Sequence, residues 1–138
     1  MSHEIIIVKD LTKPYWENKD AIYFGSINDS QWESLFFEEF GFKTYLTHTS
    51  QGGTSESYDE YFTQQVSFLY KKYPLIARFL DFYESAAFTT NEIEGLIGEI
   101  ETLRPTVMFE NAGKLLDQLL GASEIARKSG AGFLTSPD

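Results

Sequence analysis

Cysteine is absent from this 138-residue sequence, and histidine occurs only twice, as His3 and His48. Without a thiol the chain can have no disulfide, no thiolate zinc site and no cysteine nucleophile. Two isolated histidines also leave little material for acid–base catalysis, and they do not have the spacing of a His-Glu-x-x-His metal motif. We therefore expect no catalytic residue, no metal site and no cofactor.

Long apolar runs are missing as well. No stretch of about 18 consecutive apolar residues occurs, as a transmembrane helix would need, and the first residues lack the basic and long apolar regions of a secretory signal. We expect a cytoplasmic protein that does not bind membranes. With 42% apolar and 23% charged residues, the chain has the composition of a packed globular protein, and its length predicts one domain over residues 1–138.

Basic residues are scarce: 11 Lys and Arg stand against 21 Asp and Glu, which gives a net charge of −10. The excess lies in two acidic segments. Residues 28–60 contain seven acids and one lysine, and residues 92–113 contain five acids and one arginine. The rest of the chain is neutral in sum, so the acidic segments account for the whole net charge. A field of this sign repels nucleic acid and attracts basic partners.

Short runs of β-branched and aromatic residues, bounded by turn-forming residues, are typical of β-strands. Such runs predict strands over residues 4–11, 21–27 and 42–48. Residues 130–138 are compatible with either a tail or a short final strand. The sequence therefore predicts a sheet built mainly from the first third of the chain.

Apolar residues spaced three and four apart predict helices in the remainder. These helices are expected over residues 31–40, from Tyr58 to the break at Pro74, over residues 75–83, from the start signal at residues 89–92 to Pro105, and over residues 109–128, with a loop at residues 86–90. Because strands come first and helices second, we expect an α+β fold. It consists of a small N-terminal β-sheet of about three strands, packed against four to five α-helices that are mainly C-terminal.

The first helix has recognisable signals at both of its ends. Ser30 and Glu33 have the spacing of a capping box, in which a hydroxyl and a carboxylate satisfy opposite backbone amides. Gly41 can end the helix because glycine readily adopts the left-handed conformation. These signals predict a helix that begins near Ser30 and stops at Gly41.

Acids within the two acidic segments are expected to form the contact surface for a basic partner. The candidates are Glu33, Glu38, Glu39, Glu56, Asp59, Glu60, Glu94, Glu99 and Glu101. Glu99 and Glu101 lie too far along their helix to be explained by the helix macrodipole. The acids cannot all face one partner, and a solvated face that keeps the protein soluble is an equally weighted alternative.

Two stretches give the chain the character of a known class of protein. They are Ser30-Gln31-Trp32-Glu33-Ser34-Leu35 and the segment Phe-Tyr-Glu-Ser-Ala-Ala-Phe-Thr-Thr-Asn-Glu-Ile-Glu-Gly-Leu-Ile at residues 82–97. Together with the acidic, aromatic-rich and cysteine-free composition, they resemble the small immunity proteins that bacteria make against polymorphic or contact-dependent growth-inhibition toxins. The resemblance implies a binding protein that neutralises a cognate toxin, often a nuclease, by covering its active site or substrate path.

The sequence thus predicts a stoichiometric inhibitor of a basic toxin domain, either a ribonuclease or a deoxyribonuclease, that acts through an acidic surface. Two alternatives from other classes remain open. One is a non-catalytic adaptor that presents aromatic surface to a larger assembly. The other is a small hydrolase that uses a pair of carboxylates, as glycosidases do.

Overall fold

The computed structural model describes residues 2–41, 64, 66–81 and 84–137. The strands are β1 (Ser2–Val8), β2 (Ile22–Asn28), β3 (Ala87–Phe88) and β4 (Gly132–Pro137). The helices are α1 (Asp29–Glu33), α2 (residues 66–72), α3 (Thr90–Leu103) and α4 (Glu110–Ser129). A π-helical turn over Ser34–Glu39 continues α1, and 3₁₀ turns span Tyr15–Glu17, Ile76–Phe79 and Arg104–Thr106. The predicted α+β class is confirmed.

The four described strands form one antiparallel sheet in the order β2-β1-β4-β3. Within the described residues the sheet therefore has four strands rather than about three, and it is not confined to the N-terminal part of the chain. β4 lies between β1 and β3, where it pairs with β1 from His3 to Val8. Residues 130–138, compatible with a tail or a strand, thus contain a central strand of the sheet, and its pairing is non-local.

The segment before α3 differs from its prediction. Residues 75–83, predicted as a helix, form only a short 3₁₀ turn in their described part, and the predicted loop at residues 86–90 contains strand β3. The cause is tertiary packing. The fully buried ring of Phe88 lies between Phe79 and Phe133, with ring centroids 5.3 and 5.0 Å away. Burial of this kind overrides local propensity.

Helix α1 begins earlier than predicted and uses a different cap. The Asn28 side chain accepts a hydrogen bond from the Gln31 amide at 2.9 Å, and the Gln31 side chain accepts one from the Asn28 amide at 3.0 Å. This pair forms the capping box, so the Ser30 and Glu33 assignment is wrong. The helical stop at Gly41 is consistent with its positive φ of 81°.

Part of the predicted secondary structure lies outside the described residues. This applies to the strand predicted over residues 42–48 and to the start of the next helix at Tyr58. The described part of that helix is α2, which ends just before Pro74, where the sequence predicts the break. No described helix is long and apolar enough to cross a membrane.

Helix α4 forms the centre of the core. It packs against α1, α3 and strands β1, β2 and β4. Its buried side chains recur at helical spacing and include Leu115, Leu116, Leu119, Ala122 and Ala126, none more than 1% exposed. Each leucine buried in this way contributes about 1.5–3 kcal/mol to stability. The predicted amphipathic pattern of the last helix is therefore confirmed.

Side-chain amides connect the backbone of β2 to α1 and α4. Gln118 of α4 donates from Nε2 to the carbonyl oxygen of Ser26 at 2.9 Å, and its Oε1 accepts from Gln31 Nε2 at 2.9 Å. Gln31 in turn binds the backbone amide of Asn28. This network ties β2, α1 and α4 together.

Candidate interaction surfaces

The nine acids predicted to form a contact surface fall into two groups. Glu56, Asp59 and Glu60 lie outside the described residues. The other six lie on or beside α1 and on α3. Their environments differ, so the sequence prediction separates into acids that hold the fold together and acids that are exposed to solvent.

Glu99 holds a neighbouring turn in place. Its carboxylate is half-buried and accepts hydrogen bonds from the backbone amides of Leu75 at 3.1 Å and Ile76 at 3.0 Å. These amides begin the 3₁₀ turn that follows α2 and would otherwise lack an acceptor. The helix macrodipole does not explain why an acid lies so far along α3. The contact of Glu99 with these two amides does explain it.

Glu39 has a similar role at the start of α4. Its Oε1 accepts hydrogen bonds from the backbone amides of Phe109, at 2.7 Å, and of Met108. A carboxylate at a helix N-terminus stabilises both the free amides and the macrodipole. The contact also joins the two acidic segments, because Glu39 belongs to the first and Met108 to the second.

Glu94 is paired, although weakly. Its carboxylate lies 3.4 Å from Nη1 of Arg127 on α4, and the two side chains remain 70% and 45% exposed. Exposed ion pairs of this kind contribute about 0–1 kcal/mol. Glu94 therefore remains available to an external partner at little energetic cost.

Glu33, Glu38 and Glu101 are the exposed acids of the group. Within the described part of the chain, no ion pair or side-chain hydrogen bond engages any of these carboxylates. An unpaired surface carboxylate keeps its full charge available for a basic partner. Of the predicted acids in the described residues, these three fit a contact role best.

An exposed apolar pair lies beside the acids at one end of the molecule. Met108 is 88% exposed and Phe109 is 44% exposed, although both are large apolar side chains. Glu39 binds their backbone, Glu38 precedes Glu39 in the chain, and Glu110 follows Phe109. We call these five residues the acidic tip. An apolar centre with a charged rim is the usual anatomy of a protein–protein interface.

Met108 and Phe109 were not among the residues that sequence reasoning selected. The sequence does contain a signal for their exposure, because both residues lie in the connection after Pro105 and outside the apolar stripe of α4. Large apolar residues in a short connection, followed directly by Glu110, are unusual on a solvated surface. Only the structure, however, places them beside Glu39, which is 69 residues away from Met108.

A second exposed cluster, the aromatic patch, consists of Tyr15, Trp16 and Tyr23. The rings of Tyr15 and Trp16 meet edge to face at 5.2 Å, and those of Tyr15 and Tyr23 at 6.3 Å. Trp16 is 73% and Tyr23 61% exposed. Desolvation is the largest cause that raises the pKa of the Tyr23 phenol, and electrostatic interactions with Tyr15 and Glu4 raise it further. Trp and Tyr are enriched among the residues that dominate binding energy at interfaces.

A small cavity lies between β1, α1 and the turn before β3. His3, Asp81 and Glu84 contribute to its lining, together with Trp32, whose indole nitrogen donates to the carbonyl oxygen of Phe79 at 2.6 Å. Its volume of about 10 Å³ is that of roughly one water molecule. The carboxylates of this cavity therefore do not flank a space for a sugar ring, as the hydrolase alternative would need. Within the described residues, no three His, Asp or Glu side chains are arranged to hold a metal ion.

The strongest ion pair joins the start of α3 to the turn before β3. Arg78 binds the Glu92 carboxylate with both of its terminal nitrogens, and Glu92 also accepts from the amide and hydroxyl of Thr89. Hydrogen bonds from Arg78, then from Thr89, lower the pKa of Glu92 to about 2. The pair raises the pKa of Arg78 as well. The start signal predicted at residues 89–92 is confirmed as a capping box.

No protein-family model, curated protein or solved structure matches the chain. The functional interpretation therefore depends on the surfaces described above. The resemblance to bacterial immunity proteins stays a prediction from the sequence. What the structure adds is the acidic tip and the aromatic patch, which are candidate contact sites of different chemistry.

Proposed function

We propose that this protein is an immunity protein, a stoichiometric inhibitor that binds and neutralises a cognate bacterial toxin. The toxin is a basic nuclease, either a ribonuclease or a deoxyribonuclease. The acidic tip is the contact surface, and it covers the positively charged groove that holds the nucleic acid. The immunity protein itself performs no chemistry.

The observation that carries the proposal is the meeting of the two acidic segments at the tip. Glu39 comes from the first segment, and Met108 and Phe109 come from the second. The fold thus brings negative charge from two distant parts of the sequence to one end of the molecule. A nuclease groove binds phosphates with basic side chains, so its charge is complementary to the tip.

The apolar side chains at the tip explain how a bound complex would persist. Charge complementarity mainly accelerates association and selects the partner. Slow dissociation needs buried contacts, and Met108 is well suited because a flexible thioether adapts to an irregular pocket. The −10 net charge supplies the steering, and Met108 with Phe109 supplies the anchor.

Affinity capture with matched variants tests the proposal. The bait is the tagged protein, offered to a lysate of its source cells and to the product of the gene directly upstream, with elution by a salt step. We expect one basic partner, released by salt. The tip variant Glu38→Gln with Met108→Ala should lose it, whereas the control variant Glu124→Gln with Ile125→Ala should retain it.

The control removes one carboxylate and one apolar side chain from the other end of α4, so it matches the tip variant in charge. Ile125 is 36% exposed and Met108 88% exposed, so the control removes less exposed apolar surface. Glu39 is left intact because it supports the fold. Equal capture by both variants would exclude the tip as the contact surface. A wild-type bait that retains no basic protein would exclude the inhibitor function.

The aromatic patch favours a second candidate function, an adaptor in a larger assembly. Tyr15, Trp16 and Tyr23 would then bind an apolar partner surface, and such contact persists when salt screens charges. The same capture experiment separates the candidates. A partner that stays bound through the salt step and is lost with Trp16→Ala would identify the protein as an adaptor.

A further inference from the structure

A pocket of about 310 Å³ lies at the end of α4 that is remote from the acidic tip. Its lining consists of Ile7, Lys9, Asp20, Ile22, Ser129 and Ala131. Because α4 has 20 residues, its two ends are about 30 Å apart. The pocket is therefore separate from the surface proposed to bind a toxin, and any ligand it takes serves another purpose.

The apolar part of the lining is aliphatic, and Ile22 is its exposed member, whereas Ile7 and Ala131 are buried. Ile7 of β1 and Ile22 of β2 are partners in the sheet register, and Ala131 lies on the connection between α4 and β4. Ile22 keeps 45% of its surface exposed, which is unusual for an isoleucine in a sheet. A volume near 300 Å³ is at the lower end of the range for small-molecule sites.

The two charges of the pocket are opposite and unpaired. Lys9 follows β1 and Asp20 precedes β2, and both side chains are exposed. Among the described residues, neither forms an ion pair or a side-chain hydrogen bond, with each other or with any other group. The lining of the pocket thus combines one cation and one anion, unpaired among the described residues, with aliphatic side chains.

We propose that this pocket binds a small zwitterion with an aliphatic side chain, that is, an aliphatic α-amino acid. Lys9 binds the ligand carboxylate, Asp20 binds the ligand ammonium group, and the side chain covers Ile22. A ligand with both charges satisfies both pocket residues. A ligand with one charge leaves the other pocket residue unpaired, so the complementarity selects the zwitterion.

Ligand-observed and protein-observed NMR titrations with three probes test this proposal. The probes are L-leucine, 4-methylpentanoate, which lacks the ammonium group, and 3-methylbutylamine, which lacks the carboxylate. We expect L-leucine to shift the methyl resonances of Ile22 and Ala131. Each single-charge probe should bind about tenfold more weakly, because it forms one charge-assisted contact instead of two.

Variants of the two charged residues separate a specific site from weak surface binding. Lys9→Gln and Asp20→Asn should each weaken L-leucine binding by about tenfold. The matched controls Lys19→Gln and Glu17→Gln remove the same charges from the same connection without touching the pocket lining, and they should leave binding unchanged. Melting temperatures of all four variants check that the fold is intact.

Three results would overturn the proposal. The first is the lack of any shift at Ile22 or Ala131 at saturating L-leucine. The second is equal binding of L-leucine and 4-methylpentanoate. The third is tighter binding of a peptide such as Gly-Gly-Leu than of L-leucine together with no effect of Asp20→Asn, since the pocket would then take the carboxyl end of a protein chain. None of these results bears on toxin binding by the tip.

Discussion

Three glutamates show how much a side-chain charge depends on its contacts. Glu39, Glu92 and Glu99 each use the carboxylate to bind backbone amides at the start of a helix or turn. When acidic residues are only counted, these three glutamates add to the apparent surface charge. Their main effect, however, is to stabilise the fold. The acids available to a partner are those without such contacts. In the acidic tip these are Glu38 and Glu110, and Glu110 forms only an exposed ion pair with Lys114 at 3.3 Å.

Glu92 makes the stability of the protein depend on pH. Its pKa is about 2 in the folded protein and 4.5 in an ordinary environment. Because the folded value is lower, the contact stabilises the protein fully above pH 4.5, and the stabilisation is lost as the pH falls from 4.5 towards 2. With 30% of the side chain exposed, screening limits the contribution to about 1–2 kcal/mol at pH 7.

Urea denaturation of Glu92→Gln at pH 7 and at pH 2.5 measures this contribution. We expect the variant to lose about 1–2 kcal/mol at pH 7 and much less at pH 2.5. Glu101→Gln on the same helix is the control and should change the free energy of unfolding by less than about 0.5 kcal/mol. A loss for Glu92→Gln that is equal at both pH values would contradict the pKa argument.

Glu99 and Glu101 offer a second comparison on α3. Glu99→Ala should lower the free energy of unfolding by about 1–3 kcal/mol, because the amides of Leu75 and Ile76 lose a charged acceptor. Glu101→Ala should have almost no effect, since its carboxylate has no described partner. Chemical denaturation measures both values, and similar losses in the two variants would refute the capping role of Glu99.

At the scale of secondary structure, local signals predict the helices better than the sheet. α3 and α4 follow from apolar periodicity and from the start signal at residues 89–92. The sequence of β4 is compatible with a tail or a strand. It does not predict β3, because a two-residue strand has no periodicity and its two pairing partners lie 47 and 45 residues away. The cap at Asn28 was missed because Asn28 and Asp29 are also typical of a turn.

For the candidate contact surface too, the sequence predicts the local features better than the contacts made by tertiary folding. The sequence identifies the acidic segments, since charge is a property of composition, and from them predicts a positive charge for the proposed partner. It does not identify Met108 or Phe109, because their contact with Glu39 arises from tertiary folding. The aromatic patch was missed for a related reason: aromatic residues are more often buried, and exposure is known only from the structure.

Close approach of β3 and β4 gives a prediction for the sheet. A Cβ atom at Gly132 would lie 2.2 Å from the carbonyl oxygen of Phe88, so Gly132→Ala must push the strands apart. We expect a loss of about 3 kcal/mol or more in the free energy of unfolding. Thermal and urea denaturation measure it.

Gly98→Ala is the matched control for this change. Gly98 lies on the exposed face of α3, and an added Cβ atom would meet nothing within 4 Å. Alanine favours a helix over glycine, so stability should rise by about 0.5–1 kcal/mol. Opposite signs for the two Gly→Ala changes support the register of β3 against β4. A neutral Gly132→Ala would refute it.

At the scale of the whole molecule, the two ends of α4 carry different chemistry. The N-terminal end carries the acidic tip, and the C-terminal end borders a pocket with one charge of each sign. Because the net charge is −10, a basic partner is attracted from any direction. Under the proposed function, the tip determines which of these encounters lead to a stable complex.

This division predicts how salt affects binding. The association rate of a basic nuclease should fall steeply as the Debye length shortens from about 10 Å at 0.1 M to about 3 Å at 1 M salt. The variant Met108→Ala should raise the dissociation rate and leave the salt dependence of association unchanged. Surface plasmon resonance over a salt series measures both rates, and a salt-independent association rate would argue against an acid-led encounter.

The most direct test of the central claim is a titration of the captured nuclease with this protein. We predict that nuclease activity falls to zero at a one-to-one molar ratio. The variant Glu38→Gln with Met108→Ala should need a clear excess to reach the same inhibition, whereas Glu124→Gln with Ile125→Ala should inhibit like the wild type. Full nuclease activity in the presence of excess wild-type protein would contradict the account.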